Sequence, residues 1–433
     1  MRLRSGRSVG LDEKRRRTLA AAIPDDLLIY EVLVHLPAKS LARCKCVRRS
    51  WRTAITGAAF VRHHLKLSRA RPPSSSPSLV RATPTTTTPR LLRSASTASH
   101  SYRRRGITRW ILPTHCDGLV AIATVSDRVF VCNPATREFV ALPPGIHNAE
   151  LHHSEMLPPP VGIGVSDTAK FWLPAYRRYR PLGFDQWRNR YVVARYFFRT
   201  CDGAVAGDHH SQAAANNDMG VMGHEVFTLG GGGGSWELTQ DPPHAVGVQR
   251  PICTRRALYW HADEPQPRLM RFGLQDRAFA VVPRPPAGWS PHDDMAILDG
   301  KLCYVYADSE AASFHFWLAE DAPDLKWSLQ FSIEIVQESS PDANPIHYLA
   351  PVTTNGDKVL LVAVGRYSSY LLSWCTVAAS NDGAVVEQAV DLHHELRYGR
   401  PDGSKYMGCQ SQEFLHCVLP YFESLVSLTA CNY

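Results

Sequence analysis

The chain has 433 residues, 44% hydrophobic and 20% charged, with a net charge of +8; that is enough apolar material for a sizeable core and room for two or three domains or one large β domain. Its longest apolar runs, such as Val359–Val364, fall far short of the ~20 residues a bilayer-spanning helix needs, which excludes a helical membrane protein. No apolar stretch follows the basic N-terminal MRLRSGRSVGLDEKRRRT, so a secretory signal is not expected, and eleven cysteines without C-x-x-C pairs or N-x-S/T sequons fit reduced thiols in the nucleus or cytoplasm.

Charge divides the chain. Residues 1–110 hold 24 Lys+Arg and 5 Asp+Glu, whereas the remainder holds 24 basic and 35 acidic residues. A basic front on a mildly acidic body predicts two units with different partners. Residues 1–20 read as a basic disordered tail, in which Lys14-Arg15-Arg16-Arg17 suits either a nuclear-localisation cluster or a solvated terminus.

Residues 23–55 predict three helices. Pro24 followed by Asp25 and Asp26 favours a helix start, because proline tolerates the first turn and carboxylates favour the positive end of the dipole. Leu27 to Leu36 is apolar almost all round, which predicts burial on every side, and Pro37 ends it. Shorter helices follow at about Ala38–Cys44 and Cys46–Ile55, the second aligning Val47, Trp51 and Ile55 at i, i+4, i+8. About 40 residues cannot enclose so much apolar surface alone. Residues 71–100 contain 7 Ser, 6 Thr and 5 Pro and no acidic residue, the composition of an extended linker. A helical module on such a tether is expected to dock on another molecule rather than on its own body.

Beyond the linker the pattern turns to short strands, at Leu119–Ala123, Val129–Cys132 and Glu138–Leu142, with Asn133-Pro134-Ala135-Thr136 as the last turn. Hairpins follow at Leu182–Phe198 and Glu225–Leu238, the latter joined through Gly230–Gly234. The same strand grammar recurs from Ala257, Gly300 and Gly356, at the spacing of propeller blades with insertions. About five units are recognisable, and strands within Leu91–Leu112 and Cys417–Leu428 suggest a sixth that closes the ring and leaves no unpaired edge.

No catalytic motif stands in a fitting context. Gly6-Arg7-Ser8-Val9-Gly10 has the G-x-S-x-G form but lies in the basic tail, without the buried strand a nucleophile elbow requires. Gly230–Gly234 lacks the Gly-Lys-Ser/Thr of a phosphate loop. His147, His152 and His153 with Cys116 and Cys132 have no standard zinc-ligand spacing. Trp236, Trp260, Trp317, Trp327 and Trp374 read as inter-sheet core before ligand platforms. Arg103-Arg104-Arg105 has no interleaved aromatics, so nucleic acid is not an expected partner.

The segment from Ile23 to Ile55 resembles an F-box, whose pattern is LPxDLLxxILxxLPxKSLxRxxxVxKxWxxLI. Ile23 stands for the first Leu, and Pro24, Asp26, Leu27, Leu28, Val32, Leu33, Leu36, Pro37, Lys39, Ser40, Leu41, Arg43, Val47, Trp51 and Ile55 match; Arg48 and Arg49 sit where Cys and Lys are common. The phrases CNPATREFVALPP, GFD…YVVARYFF and VFTLG…W resemble the F-box-associated domain of plant F-box proteins, a kelch-like propeller relative. The resemblance implies an α+β multidomain fold: a small three-helix F-box at 21–67, a Ser/Thr/Pro-rich linker at 68–106 and a mainly-β propeller-like domain at 107–433. It further implies a non-catalytic substrate receptor of an SCF-type ubiquitin ligase, with no cofactor or metal. Its F-box would bind a Skp-family adaptor, and through it a cullin, while the propeller would bind a target protein. The expected adaptor-binding residues are Ile23, Pro24, Leu27, Leu28, Leu36, Pro37, Leu41, Val47 and Trp51, by contact or by supporting the helix packing. Because such adaptors are acidic, Lys45, Arg48, Arg49 and Arg52 would steer the encounter. The alternative is a carbohydrate-binding or carbohydrate-active propeller, for which Asp185, Asp293 and Asp294 are the candidate mouth carboxylates.

Overall fold

The computed structural model describes residues 23–70, 111–124, 128–145, 181–198, 222–230, 234–244, 246–247, 249–262, 267–290, 292–308, 313–334, 346–355, 358–365, 369–375, 386–391 and 421–428. The helical part begins with α1 (Asp25–Leu27), capped by Pro24, which widens into a π-helical turn over Leu28–Val32 and tightens into a 3-10 turn over Leu33–His35. Leu36 is extended (φ −76°, ψ 151°), as the ring of Pro37 demands of the residue before it. Ile29, Leu33 and Val34 are buried, whereas Leu27, Tyr30 and Val32 face water. The expectation of burial on every side therefore fails: a run apolar all round still presents one face to the core and the other to solvent.

The second helix, α2 (Ala38–Cys44), has the predicted bounds and buries Ala38 and Leu41. The third, α3 (Arg49–Thr56), starts three residues later than predicted, because Cys46 and Val47 turn on bonds back to Arg43 and Cys44 and Arg48 is extended. A further helix, α4 (Ala58–Ala70), was not predicted. Its Phe60, Val61, His64 and Leu65 form a helical-period inner stripe, and His64 Nε2 meets the Leu36 carbonyl at 2.9 Å. The module thus has more than three helical stretches, and α4 runs through the expected boundary at residue 67.

The remainder is a five-bladed propeller-like array of four-stranded antiparallel sheets. Blade 1 comprises β1 (Ile111–Cys116), β2 (Leu119–Thr124), β3 (Val129–Asn133) and β4 (Glu138–Ala141). Blade 2 comprises β5 (Leu182–Asp185), β6 (Arg190–Phe198), β7 (Met222–Thr228) and β8 (Trp236–Leu238). Blade 3 holds β9 (Ile252–Cys253), β10 (Ala257–Ala262), β11 (Arg268–Gly273) and β12 (Phe279–Val282). Blade 4 holds β13 (Asp294–Leu298), β14 (Lys301–Asp308), β15 (Ser313–Ala319) and β16 (Ser328–Glu334). Blade 5 holds β17 (Ile346–Asn355), β18 (Lys358–Gly365), β19 (Ser369–Cys375) and β20 (Val386–Asp391).

The recurring Asp-Gly phrases close the first hairpin of blades 1 and 4. Cys116 pairs with Leu119 and Leu298 with Lys301, leaving two-residue turns in which Asp117 (φ 52°), Gly118 (φ 80°), Asp299 (φ 51°) and Gly300 (φ 77°) are all left-handed. Such turns match the twist of the strands they join. The first strands β1, β5, β9, β13 and β17 touch in succession, and separate apolar cores fill blades 2–3, 3–4 and 4–5. Among the described residues there is no sixth sheet. Ile111–Cys116 is the first strand of blade 1, and residues 421–428 pack on that blade without forming a strand.

The helical module does not stand apart on a tether. One continuous core joins Leu33, Val34, Phe60 and Leu65 of the module to Leu119 and Val131 of blade 1, Val193 of blade 2, and Leu425 and Val426 of the chain's last described segment. Asp117, in the first turn of blade 1, is ion-paired with Arg69 of α4 and accepts the Tyr191 hydroxyl of blade 2 at 3.1 Å. Asn133, fully buried, donates to the carbonyls of Ser424 and Val426 at 3.1 and 2.7 Å. Glu423 then pairs with Lys39 of α2 at 3.0 Å. The expected docking away from the body is corrected: the module packs on its own propeller by one face. The linker residues 71–106 lie outside the described residues.

Candidate interaction surface

The module also leaves large apolar side chains in water. Ile23 is 60% exposed, Leu27 53%, Tyr30 44%, Val32 51% and Val47 61%. These five make up half of the large exposed hydrophobics among the described residues, in a module of fewer than fifty residues. Isolated exposed apolar residues are ordinary; a group of them in so small a piece marks an interaction surface. Around them the module is basic, with nine Lys+Arg against three Asp+Glu in residues 23–70. Arg43, Arg48, Arg49 and Arg52 are exposed, and Arg48 also sits 5.6 Å from the Trp51 ring.

The nine expected binding residues sort into three kinds. Ile23, Pro24, Leu27, Pro37 and Val47 are exposed. Leu28, Leu36 and Trp51 are half-buried, Leu36 and Trp51 packing on the core. Leu41 is wholly buried and belongs to that core, so it supports the surface without forming part of it. Tyr30 and Val32 were not among the expected site residues. Both lie in the π-helical turn, whose signal in the sequence is spacing: three residues separate Leu28 from Val32 where the LLxxIL pattern has two.

The propeller buries several charged side chains. The carboxylates weighed as sugar-binding are all buried and bonded to protein: Asp185 accepts from Arg188 Nη1 at 2.8 Å and from the amides of Trp187 and Arg188. Asp293 accepts from Tyr304 Oη at 2.7 Å and from the Ser290 and Ala307 amides. Asp294 accepts from Arg250 at 3.2 Å and from the Tyr348 hydroxyl. Burial pushes Asp293 up to about 6, its hydrogen bonds holding it from going higher. Burial pulls His261 down to about 3 and His115 down to about 4. In blade 2, Arg195 and Glu225 form a fully buried ion pair. The Arg195 guanidinium lies 5.1 Å from the Trp236 ring, and Trp236 Nε1 donates to the Pro143 carbonyl. Gly145 comes so close to Arg195 that a β-carbon there would collide with the guanidinium. The pair is sealed from water by the stretch that leaves blade 1.

Trp236, Trp260 and Trp374 are buried, and Trp317 and Trp327 pack on the core, in keeping with the inter-sheet role expected of them. Cys116 and Cys132 lie in β1 and β3, outside any disulfide among the described residues; His147, His152 and His153 lie outside the described residues, as does Gly6–Gly10. Among the described residues no three His, Cys, Asp or Glu side chains gather as metal ligands. No described helix is long and apolar enough to cross a membrane.

Comparison with known families matches residues 181–376 to the F-box associated beta propeller domain. The chain is similar to an Arabidopsis thaliana protein named as an F-box/kelch-repeat protein, 25% identical over 350 residues, covering 75% of each chain. A protein named as an F-box protein of the same plant is 26% identical over 380 residues, covering 81% of this chain and 89% of its own. Another is 23% identical over 392 residues, covering 84% and 82%. The relatives are F-box proteins by name, and no enzyme family is among these matches.

Proposed function

We propose that this chain is a substrate-recognition subunit of an SCF-type ubiquitin ligase. Its helical module, the F-box of residues 21–67, binds a Skp-family adaptor and through it a cullin, and the propeller holds a target protein. The observation that carries this reading is the cluster of five exposed apolar side chains on a basic helical module whose other face is anchored to the propeller. An apolar face rimmed by arginine suits a partner with an apolar groove and an acidic border. Ile23, Pro24, Leu27, Pro37 and Val47 make the contact, with Tyr30 and Val32 extending it; Leu28, Leu36, Leu41 and Trp51 hold the helices in place.

The mechanism is proximity. Fixing the target and the ubiquitin donor in one assembly converts a bimolecular encounter into an effectively intramolecular one. No side chain of this chain has to enter the chemistry. The anchored module bears on this directly, because a joint through Asp117, Asn133 and Glu423 fixes the direction in which the propeller points. The nucleus and the cytoplasm are the compartments in which this assembly would act.

The test is co-precipitation of a purified Skp-family adaptor and cullin with the full chain. Leu27→Asp with Val47→Asp is expected to abolish capture while the propeller stays folded, as monitored by near-UV circular dichroism. Capture at the wild-type level by that variant would exclude this surface as the docking face.

A further inference from the structure

A hydroxyl beside the exposed apolar face has no part in the docking just described. Ser50, the second residue of α3, is exposed. Its Oγ donates to Asp25 Oδ2 at 3.1 Å, and Arg48 Nη1 donates to Asp25 Oδ1 at 2.9 Å. Asp25 opens α1, so one carboxylate clips the start of α1 to the start of α3. Ile23 and Leu27 lie two residues to either side of Asp25, and Val47 lies three residues before Ser50. The clip therefore sits between the three most exposed members of the apolar face.

The sequence leading into Ser50 is cationic. Lys45, Arg48 and Arg49 stand five, two and one residues before it, and no acidic residue occurs from Val32 to Ala70. Arg48 is already extended (φ −144°, ψ 151°), and fraying of the first helical turn is the least costly local opening a helix has. Opening of that turn and of the Asp25 clip presents residues 48–50 as an extended basic segment that carries the Ser50 hydroxyl.

We propose that Ser50 is a phosphorylation site for a protein kinase selective for basic residues, and that phosphate there releases the adaptor. This rests on the adaptor-docking reading above. In the transfer, Ser50 Oγ forms a bond to the γ-phosphorus of ATP and the bond to the β–γ bridging oxygen breaks. ADP leaves, and the hydroxyl proton passes to a base of the kinase. The product carries a charge of about −1.5 to −2 at neutral pH. The donor hydrogen that held Asp25 is gone, and two anions now face each other where a hydrogen bond stood. Arg48 cannot neutralise both, so the first turn of α1 moves away from α3 and carries Ile23 and Leu27 with it. A dianion in a surface that must dehydrate on docking opposes binding further, most strongly toward an acidic partner.

The experiment uses the full chain, treated with a basic-directed kinase and ATP, mass spectrometry to locate the phosphate, and calorimetry with a purified Skp-family adaptor. The expected result is phosphate on Ser50 and adaptor binding weakened at least about tenfold, a loss of the size that an unpaired charge in a docking face produces. Ser50→Ala, which keeps the Arg48–Asp25 pair, should show the same adaptor affinity with and without kinase treatment. Absence of phosphate on Ser50 overturns the proposal, as does equal or tighter binding by the Ser50-phosphorylated chain. Failure of the unmodified chain to bind the adaptor removes the docking reading itself and this inference with it. Normal binding that phosphate leaves unchanged removes this inference alone.

Discussion

Arg195 and Leu27 show the two ways this chain treats its side chains. In the propeller a guanidinium is 1% exposed, paired with Glu225 and covered by Trp236 and Gly145. In the helical module a leucine is left half in water, with Ile23, Tyr30, Val32 and Val47 for company. The propeller has drawn charged pairs such as Arg195–Glu225 and Arg250–Asp294 inward. The module has turned oily residues outward while sharing its core with blade 1. On the proposed function, this exposed face is where the adaptor contributes.

The sharpest way to break this contrast is in the propeller interior. Glu225→Ala leaves the Arg195 charge buried without its counter-ion, a change that costs about 3–5 kcal/mol. Urea denaturation followed by tryptophan fluorescence should show that loss. A loss below about 1 kcal/mol, the scale of an exposed pair, would mean that water reaches the site.

Within the module, Leu41→Ala should cost about 2–5 kcal/mol, because it empties a fully buried site; hydrogen exchange over residues 23–70 would register it. The buried histidines sharpen the comparison through pH. His261 has a folded pKa of about 3, below its unfolded value of 6.5, so the unfolded chain takes up its proton first on acidification. Stability is then lost as pH falls below 6.5, by about 2 kcal/mol at pH 5 from this residue. Asp293, raised to about 6, acts in the opposite sense and gains stability over the same descent. Because His261 Nε2 has no hydrogen-bond partner among the described residues, His261→Phe should flatten the acid limb of the denaturation midpoint against wild type. An unchanged limb would contradict the assignment. The smallest stability effect is expected at the exposed face, where Leu27→Asp should stay within about 0.5 kcal/mol.

Much of the architecture was legible because its signals are local. Gly300 marks the turn ahead of a recurring strand, and short apolar runs such as Val129–Cys132 announce strands, here β3. The Asn133-Pro134-Ala135-Thr136 turn was equally plain, since Asn133 Oδ1 accepts the Ala135 amide at 2.9 Å. What could not be read was the second task of Asn133, gripping Ser424 and Val426 almost three hundred residues away. The same holds for Arg69 with Asp117 and Lys39 with Glu423. These contacts depend on tertiary placement, so the sequence suggested a tethered module where the fold has a docked one. The exposed face was half legible. Matching positions named Ile23, Leu27 and Val47, but uniform hydrophobicity from Leu27 to Leu36 could not say which side faces water, and Leu41 and Leu27 have the same chemistry at opposite ends of the burial scale.

On the proposed function, the exposed face of the helical module, and not the propeller, receives the adaptor. Hydrogen–deuterium exchange of the full chain with and without a purified Skp-family adaptor tests it directly. New protection is expected in residues 23–52, with blades 2 to 5 unchanged. Protection confined to the propeller, or none at saturating adaptor, would contradict it.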